Sequence, residues 1–172
     1  MNNIVLVGFM AVGKSAVGKY LKSNLCLSLF DVDGIIEKEE GMKIKDIFKK
    51  QGEEYFRLKE KEIAKRLLAR NNNIISTGGG LFMDEEIRKL ALKNNFVIFL
   101  DLDINEVYRR VQRNDIRPLA KARSKKELED LYNLRLPYYN EATVKVDVNG
   151  KTSKKVADEI TKLYFKWLNK EL

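Results

Sequence analysis

The chain contains no histidine, a single cysteine and only two prolines among its 172 residues. Without histidine, neither imidazole acid–base catalysis nor a histidine-ligated metal site is open to it. The lone Cys26 has no partner for an internal disulfide. Among Leu25, Leu27 and Leu29 it reads as a small buried side chain, in a protein of a reducing compartment. No apolar run approaches the roughly 20 residues needed to cross a bilayer. Ile4 to Val7 lead straight into a glycine loop, with neither a basic flank nor a small-residue cleavage site, so a soluble cytoplasmic protein without membrane association is expected.

Charge is abundant, and the formal net charge of +8 raises the question of nucleic-acid binding. The lysines, however, are scattered over predicted helix faces beside glutamates, as in Lys59-Glu60-Lys61-Glu62. Alternating charge of this kind reads as a solvated surface, and no nucleic-acid partner is expected. With 44% apolar residues the chain is sized for one domain over residues 1–172, able to bury a core unaided and expected to act as a monomer.

Short apolar runs alternate with amphipathic stretches, the rhythm of βα units around a parallel sheet. Strands are expected at Ile4–Val7, Leu27–Asp31, Asn73–Ser76, Phe96–Leu100 and Val144–Asp147. Helices are expected at Lys14–Asn24, Glu53–Arg70, Asp84–Asn94, Ile104–Arg113, Lys125–Asn140 and Ser153–Lys170, the last with Ser153 as its N-cap. Residues 114–123 follow neither period and are longer than a tight connection needs, which suggests an active-site lid over about 112–124.

Gly8-x-x-x-x-Gly13-Lys14-Ser15 follows an apolar strand and opens a helix, the context in which this spacing cradles phosphate. The glycines let successive N–H groups turn inward, and the helix N-terminus favours anions. Lys14 can then reach the β- and γ-phosphates of a nucleotide, and the Ser15 hydroxyl can ligate Mg²⁺. GTP-binding switch proteins share this loop, but their Asn-Lys-x-Asp motif is absent. Asp101 reads as a strand-end residue, with a Walker-B carboxylate as the alternative.

Further chemistry gathers where strands end, the edge at which open parallel sheets collect ligands. Asp31 and Asp33 close the second strand; one can face a metal and the other an attacking hydroxyl, although Asp33 serves equally well as a helix N-cap. Arg57 and Glu60, three apart, are either an ordinary surface bridge or a guanidinium held ready for a substrate carboxylate. Gly78-Gly79-Gly80 suits close approach of a ligand to bare backbone, or is simply a flexible turn. Arg117 and Arg135 each lie within two residues of one of the prolines. Pro118 holds Arg117 extended, so that it is either a pre-set partner for a transferring phosphoryl group or a charged loop tip.

Taken in order, the phosphate loop, Asp31-x-Asp33, Phe56-Arg57-x-x-Glu60, Gly78-Gly79-Gly80, Arg117-Pro118-Leu119 and Arg135-x-x-x-Tyr139 resemble the shikimate kinase family over nearly the whole chain. The resemblance implies transfer of the ATP γ-phosphate to the 3-hydroxyl of shikimate, a step of chorismate and aromatic amino-acid biosynthesis. It implies a P-loop kinase fold: a five-stranded parallel sheet in the order 2-3-1-4-5, flanked by helices, with a mobile lid and a substrate-binding region at about 32–60. By the same analogy Ala11, Val12, Gly13, Lys14, Ser15, Ala16, Arg110 and Arg117 bind ATP, Arg110 stacking on adenine opposite the loop Asn149–Thr152. Asp33, Arg57, Gly79, Gly80 and Arg135 bind shikimate; Lys14, Asp33 and Arg117 are catalytic; and Ser15 holds Mg²⁺ with Asp31 nearby through water. The chain departs from the family in lacking an extra glycine within Phe9–Val12, in having Ala120 after Leu119, and in lacking a proline in the adenine loop. Another small P-loop kinase, for gluconate or a nucleoside monophosphate, and a non-catalytic nucleotide-binding module are the alternative readings.

Overall fold

The three most uniformly apolar segments form the middle of the sheet. In the computed structural model, which describes residues 2–113 and 123–172, β1 (Ile4–Val7), β3 (Asn73–Ser76) and β4 (Phe96–Asp101) bury nearly every side chain. A strand covered on both faces has no polar side, so it reads as a run rather than an alternation. At the edges, β2 (Ser28–Asp31) and β5 (Val144–Asp147) are partly exposed. The sheet is parallel throughout, in the order β2-β3-β1-β4-β5, as the resemblance implied. Ile4 lies opposite both Ile74 and Phe96.

Parallel neighbours require crossovers, and these carry the helices: α1 (Lys14–Leu25), α2 (Val32–Glu40), α3 (Ile44–Leu68), α4 (Glu85–Asn94), α5 (Ile104–Gln112), α6 (Lys125–Tyr139) and α7 (Ser153–Leu168). A single 3₁₀ turn, Leu81–Met83, precedes α4. The caps follow side-chain chemistry: Asp84 accepts from the Ile87 amide, and Ser124 with Glu127 forms a reciprocal capping box. Thr152, not Ser153, caps α7, accepting from the Lys155 amide at 3.3 Å.

Two helical segments were not expected. Helix α2 is short, carries Gly34 in its first turn and has low intrinsic propensity; its support is tertiary, through the Asp31 cap and burial of Val32 and Ile36. Helix α3 begins before Glu53 but is interrupted at Gly52 (φ 85°, ψ 173°), so the expected helix from Glu53 is its second segment, ending at Leu68 rather than Arg70. Cys26 is exposed rather than buried. It occupies a left-handed position (φ 54°) at the end of α1, where the chain turns and aims the thiol away from the core its leucine neighbours pack against.

At the N-terminal edge of the central strands lies a buried amide network. Asn3 Oδ1 accepts from the Asn73 amide at 3.1 Å, Asn95 Oδ1 accepts from the Asn3 amide at 3.1 Å, and Asn3 Nδ2 donates to Arg70 O at 2.6 Å. The opposite edge, where β1, β2, β3 and β4 end, carries the phosphate loop, Asp31, the triple glycine and Asp101.

Candidate active site

The phosphate loop owes its path to two glycines. Gly8 has φ 140°, and a Cβ there would lie 2.6 Å from Leu100 O of the neighbouring strand; Gly13 has φ 102° and begins α1 without a side-chain cap. The first amides of α1 are therefore left for a ligand. The buried Lys14 ammonium folds across the loop, donating to Gly8 O at 2.7 Å and Phe9 O at 2.8 Å. Ala11 holds φ 60°, a left-handed conformation costly to a residue with a Cβ.

Ser15 Oγ donates to Asp31 Oδ2 at 2.5 Å, and Asp31 Oδ1 accepts from the Gly34 amide. Asp31 thus caps α2, which leaves Asp33 in the first turn of the helix instead of at its cap. Among the described residues no group of three or more acidic, cysteine or histidine side chains is arranged for a metal. A serine hydroxyl beside one carboxylate still fits Mg²⁺, which keeps much of its octahedral shell from water and substrate phosphates.

The triple glycine packs against functional groups on every side, and at Gly78 and Gly80 a Cβ would collide with them. A Cβ at Gly78 would lie 2.1 Å from Glu60 Oε1 and 2.9 Å from Asp33 Oδ1. One at Gly79 would lie 3.4 Å from the Met10 nitrogen and 3.5 Å from Arg135 Nη1, and one at Gly80 only 2.7 Å from Arg57 Nη1. The turn therefore brings Asp33, Arg57 and Arg135 against one short stretch of backbone beside the phosphate loop. Arg135 Nη1 donates to Gly79 O at 3.2 Å, and the same carbonyl accepts from the Tyr139 hydroxyl, whose pKa burial pushes up to about 12.

Of the two readings of Glu60, a solvated surface charge or the partner that holds Arg57, the structure has the second: Glu60 is 1% exposed. Its Oε2 accepts from Arg57 Nη1 at 2.7 Å, while Oε1 is buried without a hydrogen bond. Burial raises its pKa to about 7 against the opposing pull of Arg57, with Asp33 adding to the rise and Arg135 reducing it. Arg57 is also held by Glu53 Oε1, at 3.1 Å to Nη2. Burial lowers the Arg135 pKa, and the nearby charge of Arg57 contributes to the same direction. The two guanidiniums close one side of a cavity of about 480 Å³ walled by α3, α6 and the Leu81–Met83 turn.

A second cavity, of about 470 Å³, lies between Arg110 and the Asn149–Lys151 turn. Arg110 reaches back to the phosphate loop, its Nη1 donating to Ala11 O at 3.2 Å. Asn149 Oδ1 accepts from the Asp103 amide, which ties the turn after β5 to the start of α5. Asp101 is engaged by the Tyr132 hydroxyl at 2.6 Å and Lys145 Nζ at 2.7 Å, a strand-end role. Arg117 and most of the expected lid lie outside the described residues. The sequence reading assigned no role to Tyr139, Tyr132 or Phe9; the spacing of Tyr139 four residues after Arg135 on one helix face was the available signal for the first.

A phosphate loop facing an arginine-rich acceptor cavity across the C-terminal edge of a parallel sheet defines a P-loop phosphotransferase with a small anionic acceptor. The sequence model described as shikimate kinase matches residues 10–164. A shikimate kinase of Persephonella marina is 44% identical over 160 residues, covering 93% of this chain and 97% of its own. Among solved structures, the shikimate kinase of Acinetobacter baumannii in complex with shikimate superposes with a TM-score of 0.91 at 31% identity, over 96% of this chain and 94% of its own. That of Aquifex aeolicus gives 0.85 at 36% identity, over 95% and 96%. The chain belongs to the shikimate kinase family.

Proposed function

We propose that this protein transfers the γ-phosphoryl group of ATP to the 3-hydroxyl of shikimate, giving shikimate 3-phosphate and ADP on the route to chorismate. The observation that carries the reading is the placement of Arg57, Arg135 and Asp33 against three consecutive glycines beside the phosphate loop. The two guanidiniums suit the acceptor's carboxylate, and the amides of Gly79 and Gly80 can meet its ring substituents. Asp33 then lies where it can orient the 3-hydroxyl toward the γ-phosphorus.

In the transfer, the bond from the γ-phosphorus to the β,γ-bridging oxygen breaks as the bond to the acceptor oxygen forms. The hydroxyl proton passes to Asp33, late in a loose transition state that asks mainly for orientation. Lys14 exchanges its two loop carbonyls for phosphate oxygens, and Arg110 with the Asn149–Lys151 turn encloses the base. Ser15 and the neighbouring Asp31 would hold Mg²⁺, which would supply charge neutralisation for the transferring phosphoryl group. Arg117 belongs to this reading as a second cation on the transferring group, from a lid at about 112–124 that closes over a substrate-binding region at about 32–60. We read the enzyme as a single-domain cytoplasmic monomer; among the described residues no helix is long and apolar enough to cross a membrane.

The test is a coupled assay of ADP release with shikimate, gluconate and AMP, on the wild type and on Arg57→Ala, Arg135→Ala and Asp33→Asn. Turnover of shikimate alone is expected. Either arginine variant should weaken shikimate binding by roughly 2–5 kcal/mol, and Asp33→Asn should depress kcat while ATP binding stays near normal. Turnover of gluconate or AMP without shikimate overturns the substrate, and unchanged shikimate affinity in both arginine variants overturns the carboxylate clamp.

A further inference from the structure

Phe9 is fully buried although it belongs to a loop whose phosphate contacts are made by backbone amides and Lys14. Its surroundings are not those of an ordinary core side chain. Tyr132 meets the ring edge-on, with centroids 5.6 Å apart and an interplanar angle of 88°. The guanidinium carbon of Arg135 lies 5.7 Å from the ring centroid. The Phe9 carbonyl, meanwhile, accepts from Lys14 Nζ. A single residue thus joins the lysine that handles the nucleotide to an arginine that faces the acceptor.

We propose that Phe9 is a positioning residue, whose ring holds the Arg135 guanidinium in the orientation that receives the acceptor carboxylate and ties that orientation to the state of the phosphate loop. An aromatic ring carries negative potential on its face and attracts a guanidinium placed over it, more strongly when both are shielded from water. Arg135 Nη1 also donates to Gly79 O, and Tyr139 and Glu60 act on the same guanidinium from the protein side, so the Phe9 ring is the apolar contact among those that set its orientation. When phosphates draw Lys14 away from the Gly8 and Phe9 carbonyls, the loop backbone at Phe9 is released, and a shift of the ring is felt at Arg135 without passing through solvent. Coupling of this kind is reciprocal, so each substrate changes the affinity for the other by the same factor. The inference rests on Arg135 as a ligand of the carboxylate, as proposed above.

The experiment replaces Phe9 with 4-fluoro-, 3,5-difluoro- and 3,4,5-trifluorophenylalanine, which drain the ring face with little change of shape. The KM for shikimate should climb with each fluorine, reaching about three- to tenfold in the trifluoro protein, while the Kd of ADP for the shikimate-free enzyme and the melting temperature hold. ADP should tighten shikimate binding, measured by calorimetry, and that tightening should shrink along the same series; an ADP effect that is absent or constant across it overturns the coupling. Phe9→Leu, apolar but without the quadrupole, should match the trifluoro protein. A shikimate KM that stays flat across the series, with Arg135→Ala still raising it, overturns the role of Phe9 alone. If Arg135→Ala also leaves it unmoved, the carboxylate reading falls and takes this inference with it.

Discussion

Glu60 shows how little a residue's type says about its energetics until its burial is known. Its carboxylate grips Arg57 from inside the protein, and burial raises its pKa to about 7 from the ordinary glutamate value of 4.5. The folded state therefore binds a proton that the unfolded state releases, between those two values. The stability this group contributes is present below pH 4.5 and is lost as pH rises through about 7. Between pH 5 and 8.5, wild type should lose on the order of 1–3 kcal/mol relative to Glu60→Gln, read from urea midpoints at each pH. Equal pH dependence in the two proteins would place the proton elsewhere. Arg57, Asp33 and Arg135 were legible in the sequence as residue types, and the order of the motifs marked them as candidates. The burial of Glu60 was not, because its position within Lys59-Glu60-Lys61-Glu62 looks like every other charged turn of a surface helix.

Among the elements, α3 is the one whose shape depends on a single residue. Gly52 adopts φ 85° and ψ 173°, a region open almost only to glycine, and a Cβ there would meet nothing within 4 Å. Gly52→Ala should therefore cost about 1–3 kcal/mol from backbone conformation alone, seen as a lower urea midpoint with an unchanged m-value. A neutral substitution would mean that the two segments of α3 fuse without penalty. The break matters to the site because Glu53, which begins the second segment, bonds Arg57 one turn later. The central strands and the long amphipathic helices were readable because local periodicity and burial agree. Helix α2 and the first segment of α3 were not, since Gly34, Gly41 and Gly52 punctuate them like loop residues and their helicity comes from packing against one another.

For the molecule as a whole, ligand binding and stability are one measurement. At a hundredfold its Kd, ADP should stabilise the fold by about 2.7 kcal/mol, raising the melting temperature by roughly 5–10 °C for a chain of this size. An unchanged melting temperature would mean that the loop Gly8–Ser15 does not hold nucleotide. The phosphate loop was legible from its spacing alone, being local in sequence. The meeting of α2, α3, α6 and the Gly78–Gly80 turn was not, since it depends on how distant segments cross. That meeting depends in turn on the alignment of the central strands, and here the amide network of Asn3, Asn73 and Asn95 has a consequence. Strands as uniformly apolar as β1 and β4 exchange one oily neighbour for another if they slip by two residues, roughly 7 Å along the strand, with little penalty from the core. The buried amides make that slip expensive, at about 1–3 kcal/mol for each donor or acceptor orphaned. The edge farthest from the chemistry thus works as a vernier: it fixes the zero from which the phosphate loop meets Leu100 and Phe9 meets Arg135.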